Sequence, residues 1–240
     1  MPAAEASDSR QISDNGQPNA SAWRASAPGR GATGWRRGRP AEMGWIMQSV
    51  LLETPDGITA RLGWDPKLPE HDRKRQLAKE LVASRLGVEP KDVRVERESP
   101  GTFGFHTQLI AEVAGEEVPL KIRNASFRAA TVVALVDPAM QLGIDLRDAH
   151  PDENELNVMQ RHSHLFEADE GNLPKLLAHW TRVQAVRDAD GRGARVAADH
   201  VRLDSPLLKG WIPDRKVRYR LADVSRDSWI ITLAYAPTAA

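Results

Sequence analysis

The chain has 240 residues, of which 41% are hydrophobic and 28% charged, a composition that fits one large or two small globular domains. Lys and Arg together number 33, as do Asp and Glu, so the whole chain lacks the net field that would attract nucleic acid or an anionic membrane. It contains no cysteine, which excludes disulfides and thiolate metal sites, and no stretch approaches the roughly 18 apolar residues of a membrane span.

Residues 1–42 differ in composition from the rest of the chain, being rich in Ala, Ser, Gly, Pro and Arg. Such a segment cannot bury enough apolar surface to offset the entropy of ordering, so the sequence predicts a disordered tail. Two interpretations of its basic and aromatic residues stay open, a solvated tail and a weak nucleic-acid arm. These residues are Trp23, Arg30, Trp35, Arg36, Arg37 and Arg39.

Residues 43–145 predict an N-terminal lobe with several strands and one long helix over residues 69–88. Apolar residues recur in that helix at helical spacing, and a glycine follows as a stop signal. They are Leu77, Leu81, Val82 and Leu86, followed by Gly87. Alternating or short apolar runs predict strands over residues 45–54, 58–64, 93–99, 117–127, 131–137 and 141–148.

Residues 146–240 predict a C-terminal lobe of the same plan. Helices are expected over residues 153–166 and 173–189, and strands over residues 194–204, 215–224 and 228–236. The fold class is therefore α+β. We expect two similar lobes joined edge to edge, each a small, mainly antiparallel sheet packed with a long helix.

Three short segments follow one another along the chain in an order that suggests a site. Asn124, Ala125, Ser126 and Phe127 come first, and Gly143, Ile144 and Asp145 end a later apolar run. A helix motif that begins with Trp180, Thr181 and Arg182 lies 35 to 37 positions after Asp145. An aspartate at a strand end is more often a cap than a functional group. The hypothesis of a site therefore depends on the order of the three segments and not on Asp145 alone.

This ordered set resembles the phosphopantetheinyl transferase superfamily, in its larger, two-lobed, monomeric branch. The stretches "ALVDPAMQLGIDLRD" and "HWTRVQAVRDADGRG" match the family's strand and helix motifs, and the likeness covers residues 46–237. The resemblance implies a Mg²⁺-dependent transfer of 4′-phosphopantetheine from coenzyme A to a serine of an acyl- or peptidyl-carrier protein. It also implies that two strand acids and a helix glutamate hold the metal ion.

Only part of the family's motif set is present. Asp145 matches the first metal ligand, whereas Arg147 stands where the second strand acid is expected and Gln184 replaces the helix glutamate that would act in catalysis. The positions that the resemblance assigns to cofactor binding are Ser126, Phe127, which replaces a histidine, and Arg182 in the helix motif. Val183 and Asp188 stand where lysines are expected.

These replacements leave the expected metal site with no net charge, so we expect weak binding of Mg²⁺ and coenzyme A. The transfer reaction is expected to be impaired or lost. The alternative is a non-catalytic binding module for a carrier protein or another partner. Under both alternatives we expect the protein to be a cytoplasmic monomer, and we do not expect a membrane or nucleic acid as its partner.

Two other groups of side chains contain residue types that bind metal ions. The first is an acidic run that could supply replacement ligands, although a solvated helix start explains it better. It comprises Asp148, Asp152, Glu153 and Glu155. The second is the pair His162 and His164, which we interpret as exposed because residues two apart on a helix do not share a face.

Overall fold

The structure, a computed structural model, describes residues 47–97, 109–162 and 172–238, and these contain two antiparallel sheets and three α-helices. The tail predicted over residues 1–42 and His164 lie outside the described residues. The α+β class is confirmed. The described residues belong to one unit of the chain, Trp45–Ala240, and the boundary predicted at residue 145 falls inside a strand of its second sheet.

The first sheet has the strand order β1-β2-β7-β6-β4-β3, with β5 paired to β4. Its strands are β1 (Gln48–Leu51), β2 (Ile58–Trp64), β3 (Val93–Arg97), β4 (Leu109–Val113), β5 (Glu116–Glu117), β6 (Lys121–Phe127) and β7 (Ala130–Val136). Helix α1 (Glu70–Leu86) connects β2 to the strands that follow.

The second sheet has the order β8-β12-β11-β10-β9. Its strands are β8 (Met140–Asp148), β9 (Arg202–Leu203), β10 (Lys209–Trp211), β11 (Arg218–Asp223) and β12 (Trp229–Pro237). Helices α2 (Glu153–Gln160) and α3 (Leu173–Ala189) lie between β8 and β9 in the chain.

The two halves share one topology. In the first half, β2 is followed by α1 and by the strands β3, β4, β6 and β7, and the last strand returns to pair with β2. In the second half, β8 is followed by α3 and by β9 to β12, and β12 returns to pair with β8. Strands β1 and β5 and helix α2 are additions to this common plan. The similarity of the halves is therefore visible in strand order.

The two sheets and two long helices form four layers. Side chains alternate along each strand, so one face of β7 contributes Val132 and Ala134 to a core between the sheets, and the other turns Val133 towards α1. In β8, Leu142 and Ile144 enter the same shared core. Helix α3 covers the outer face of the second sheet. The halves thus share a hydrophobic core, which differs from the edge-to-edge joining that we expected.

The ends of the long helices follow the sequence signals. Helix α1 stops at Gly87, whose φ of +69° is a left-handed conformation that glycine adopts without strain. Helix α3 begins where the Asn172 side chain accepts a hydrogen bond from the backbone of Lys175. The predicted span 173–189 of α3 is confirmed, and Gly191, with a φ of +80°, follows its end.

The strand predicted over residues 194–204 is wrong. Most of this segment forms two short 3₁₀ turns, Gly193–Arg195 and Ala198–His200, and only Arg202–Leu203 pairs as a strand. Its apolar residues Val196 and Val201 are buried in the core beneath α3, so the apolar pattern arises from packing of an irregular segment. The helix predicted over residues 153–166 ends at Gln160, and residues 163–166 lie outside the described residues.

Candidate functional site

The candidate site lies where α3 crosses β8. Leu142, Ile144 and Leu146 point into the shared core, so the alternate residues of β8 face α3. A Cβ atom placed on Gly143 would lie 2.2 Å from the carbonyl oxygen of Ala185. The helix backbone therefore rests directly on the strand at this glycine, and Asp145 and Arg147 follow it on the same face.

Asp145 is engaged by its neighbour on that face. Arg147 donates a hydrogen bond from Nε to Oδ2 of Asp145 at 3.0 Å and another from Nη2 to Oδ1 at 3.1 Å. The carboxylate is 13% exposed and the guanidinium side chain 26% exposed. Both carboxylate oxygens are thus occupied by one planar cation in the bidentate geometry that arginine favours.

Burial dominates the ionisation of Asp145. It raises the pKa of this carboxyl to about 6, although the charge and hydrogen bonds of Arg147 oppose the rise. The negative charge of Asp188 raises this pKa further, whereas the charge of Arg187 lowers it. Both of these residues lie on α3, so the side chains of the strand and the helix share one electrostatic environment.

Gln184 is also engaged by a neighbouring arginine. Its Oε1 accepts a hydrogen bond from Nη1 of Arg187 at 2.7 Å, and Arg187 Nε donates to the carbonyl oxygen of Gly193 at 3.3 Å. The Nε2 atom of Gln184 is buried and has no hydrogen-bond partner within the described residues. The side-chain oxygen of Gln184 that could bind a metal ion therefore already accepts a hydrogen bond. Burial lowers the pKa of its partner, Arg187.

Asp188 connects the helix to both sheets. Its Oδ1 accepts a hydrogen bond from Nη2 of Arg123 on β6 at 2.9 Å, and its Oδ2 accepts one from the backbone N–H of Ile144 at 3.0 Å. The second bond satisfies a donor on the free edge of β8. This carboxylate therefore has a structural role.

The predicted cofactor-binding residues do not converge. Ser126 bonds with the hydroxyl of Thr131 at 3.0 Å, on the face of the first sheet that α1 covers. Arg182 donates to the carbonyl oxygen of Ala178 at 2.7 Å and lies 3.6 Å from a carboxylate oxygen of Asp223. Neither interaction involves the group around Asp145.

Phe127 is the one predicted cofactor-binding residue that lies beside the candidate site. The guanidinium carbon of Arg147 lies 5.4 Å from the centre of its ring, and that of Arg128 lies 5.1 Å away. An aromatic ring between two arginines favours cations, because its face carries partial negative charge. At this position the chain therefore has a ring that stabilises Arg147, where the family resemblance implied a phosphate-binding histidine.

The acidic run after β8 does not supply replacement ligands. Asp148, Asp152 and Glu155 all surround Arg128, with nitrogen–oxygen distances of 3.4, 2.9 and 3.1 Å. Asp152 and Glu155 also form a reciprocal capping box at the start of α2. The described residues contain no group of three side chains suited to a metal ion. At Asp145 the only carboxylate oxygens shown are those that accept hydrogen bonds from Arg147.

Two arginines of the site were not predicted from the sequence. Arg187 lies three positions after Gln184 on α3, a spacing that places both on one helix face and could have been used. Arg123 lies on β6 and meets Asp188 across 65 positions of the chain, a contact that no local pattern indicates. We name Arg123, Asp145, Arg147, Gln184, Arg187 and Asp188 the α3–β8 cluster.

A separate cleft of ≈ 450 Å³ lies beside the first half of α3. It is bordered by Lys175, His179 and Val183 on the helix and by residues 201–207. His179 is 7% exposed there. Val183, an expected lysine position, borders this cleft, but no residue of the α3–β8 cluster does, so the cleft is distinct from that cluster.

Comparison with known proteins adds no family assignment. No protein-family model matches the chain, and no curated protein matches it significantly. Among the described residues, no helix has the length and apolar character needed to cross a membrane.

Proposed function

We propose that the chain is a phosphopantetheinyl-transferase-like protein that has lost the transfer reaction and acts as a non-catalytic binding module. The proposed relation to this family is supported by the order of the motifs along the chain. It is also supported by their positions in space, because α3 crosses β8 at Gly143, next to Asp145. The observation that carries the loss of activity is the bidentate pair between Arg147 and Asp145. The proposed partner is an acyl- or peptidyl-carrier protein, bound by a cytoplasmic monomer.

Charge supports the loss of metal-dependent chemistry. Magnesium ions require several oxygen ligands in octahedral geometry, usually with one or two carboxylates. At the α3–β8 cluster, a dication could reach Asp145 only by displacing Arg147 and would then lie next to its positive charge. Arg187 adds a second cation near the same carboxylate. The electrostatic cost of both cations opposes metal binding.

Three of the positions expected to hold the anionic cofactor lack suitable groups, and Arg182, which keeps a cation, is directed to Asp223 and the Ala178 carbonyl oxygen. Val183, at an expected lysine position, is buried on the core-facing side of α3, and Asp188 at the other carries a negative charge. Phe127 has no hydrogen-bond donor on its side chain. Coenzyme A therefore gains few phosphate contacts at this site. A surface that recognises a carrier protein does not require these groups, which supports the binding-module proposal.

Transfer can be tested directly by mass spectrometry. The purified protein is incubated with coenzyme A, Mg²⁺ and several apo carrier proteins, with an active phosphopantetheinyl transferase as the positive control. We expect no gain of the phosphopantetheine mass on any carrier. A gain that requires Mg²⁺ and is lost in Asp145→Ala would instead support an active transferase with Asp145 as its surviving metal ligand.

A further inference from the structure

The second sheet has an open face that its outer strands present to solvent. Strands β12 and β8 are covered on this side by the shared core, to which Ile231 and Leu233 belong. Farther out, β11, β10 and β9 carry exposed cations and the partly buried ring of Trp211, and the partly buried Tyr235 lies next to them near the end of β12. We name this set the basic–aromatic face, and it comprises Arg202, Lys209, Trp211, Arg218, Arg220 and Tyr235.

Strand register places these side chains on one side of the sheet. Arg220 pairs with Lys209 on one neighbouring strand and with Tyr235 on the other. Trp211 pairs with Arg218 and with Arg202. Directly opposite residues of an antiparallel pair point to the same face of the sheet.

The intervening residues confirm which face is open. Tyr219 and Leu221 alternate with Arg218 and Arg220 along β11, and both are buried in the core beneath α3. The arginines must therefore point away from α3. All four cations of the basic–aromatic face are exposed, so the open side of the outer strands is accessible to a ligand.

The charge of this face is mainly positive. None of its four cations forms a side-chain ion pair with a carboxylate within the described residues. One acid, Asp204, lies next to Lys209, where its Oδ1 accepts a hydrogen bond from the Lys209 backbone N–H at 2.7 Å. Elsewhere arginines such as Arg147 and Arg192 are neutralised by aspartates. Four exposed cations beside one carboxylate create a local positive field that the zero net charge of the whole chain does not indicate.

An aromatic ring lies among these charges. The guanidinium carbon of Arg218 is 4.8 Å from the centre of the Trp211 ring, and Trp211 is partly exposed. A cation stacked on an indole presents a flat surface with positive charge at its margin. Such a surface suits a ligand that alternates planar rings with anionic groups.

We propose that the basic–aromatic face binds single-stranded nucleic acid. Its cations would contact backbone phosphates, and Trp211 would stack on an unpaired base, the combination by which sheet surfaces bind single strands without sequence preference. Duplexes are disfavoured because their bases are already stacked and do not present their faces. This inference is independent of the proposed function, since no residue of the α3–β8 cluster belongs to the face.

Fluorescence anisotropy tests the proposal with labelled oligothymidylate and oligouridylate of about 15 nucleotides, a length within the usual range of single-strand sites. We expect binding that weakens with salt, since neutralised phosphates release counterions. Trp211→Ala should weaken binding by about fivefold or more through loss of base stacking, and Trp211→Phe should restore much of it. The two oligonucleotides separate a preference for DNA from one for RNA.

The charge contribution is tested with a matched pair of double variants. Arg218→Ala with Arg220→Ala should reduce the slope of log affinity against log salt by about 1.4, which corresponds to two phosphate contacts. Arg75→Ala with Arg85→Ala removes the same charge from exposed positions on α1 and should leave the slope unchanged. Circular dichroism verifies that all variants are folded.

Three outcomes would overturn the proposal. The first is no binding at low salt by the wild-type protein. The second is an equal loss of affinity in both double variants, which would indicate non-specific attraction. The third is competition by polyglutamate as effective as that by oligonucleotide at equal charge, which would indicate an acidic protein as the partner.

Discussion

Arg147 donates two hydrogen bonds to Asp145, at 3.0 and 3.1 Å, from a position two residues further along the same strand. Alternation along β8 places both side chains under α3, so the pair forms within the strand and needs no help from a distant element. The family resemblance implies a metal ligand in the position of Arg147. Here the same geometry produces an internal ion pair.

The raised pKa of Asp145 predicts a pH dependence of stability. A folded-state pKa near 6, above the ordinary value of 3.8, means that the folded protein binds this proton more tightly than the unfolded chain. The stabilisation is present below pH 3.8 and is lost as the pH rises through 6. As the pH rises from about 5 to about 7.5, ionisation of this carboxyl should therefore reduce the free energy of unfolding by about 1 kcal/mol.

Urea denaturation of wild type and Asp145→Asn at both pH values measures this contribution. Asn resembles the protonated carboxyl and cannot ionise, so the variant does not carry the cost of the buried charge at the higher pH. Its stability should therefore change less between the two pH values than that of wild type. Equal pH dependence in the two proteins would contradict the raised pKa.

Restoring acids at two positions should create a metal site. The double variant Arg147→Glu with Gln184→Glu removes the cation that engages Asp145 and adds two carboxylates to the α3–β8 cluster. At a Mg²⁺ concentration about ten times the Kd, binding would stabilise the folded state by about 1.4 kcal/mol. The melting temperature should then rise by about 3 to 5 °C.

Single replacement supplies the control for this experiment. Gln184→Glu alone leaves Arg147 on Asp145, so Mg²⁺ should not change its melting temperature. The melting temperature of wild type should not respond to Mg²⁺ either. If the double variant also fails to respond, positions 145, 147 and 184 do not surround one common space.

The contact between α3 and β8 predicts a severe effect for Gly143→Ala. The new methyl group would lie 2.2 Å from the Ala185 oxygen and 2.2 Å from the Ala189 nitrogen, both backbone atoms of a packed helix. We expect a loss of about 3 kcal/mol in unfolding free energy.

Gly210→Ala is the matched comparison, because its methyl group meets the end of the Val186 side chain at 2.5 Å. A side chain can rotate, so a smaller loss of about 1 kcal/mol is expected. Chemical denaturation of both variants measures the difference. A Gly143→Ala protein as stable as wild type would show that the helix does not rest on the strand at this glycine.

The sequence predicted the elements whose signals are local. The span of α3 and the stop of α1 at Gly87 follow from apolar spacing and glycine, and β2 follows from its alternation. The segment around Val196 and Val201 misled the prediction, because burial against α3 gives an irregular chain the apolar content of a strand. The short strand β10 has only three residues, too few to form a pattern.

The contacts of the candidate site also differ in whether local sequence spacing indicates them. Asp145 and Arg147 lie two residues apart, a local spacing that places both on one face of a strand, and in the structure they are in contact. The pairing of Arg123 with Asp188 joins elements 65 positions apart and depends on how the sheets pack. The basic–aromatic face was missed for a related reason, because its residues are scattered over four strands and only register brings them together.

Isothermal titration calorimetry with coenzyme A, performed with and without Mg²⁺, tests most directly whether Arg147 has disabled the site at Asp145. We predict no heat of binding that depends on Mg²⁺ for the wild-type protein, because both carboxylate oxygens are already engaged. Micromolar affinity for coenzyme A that requires Mg²⁺ and disappears in Asp145→Ala would contradict this account.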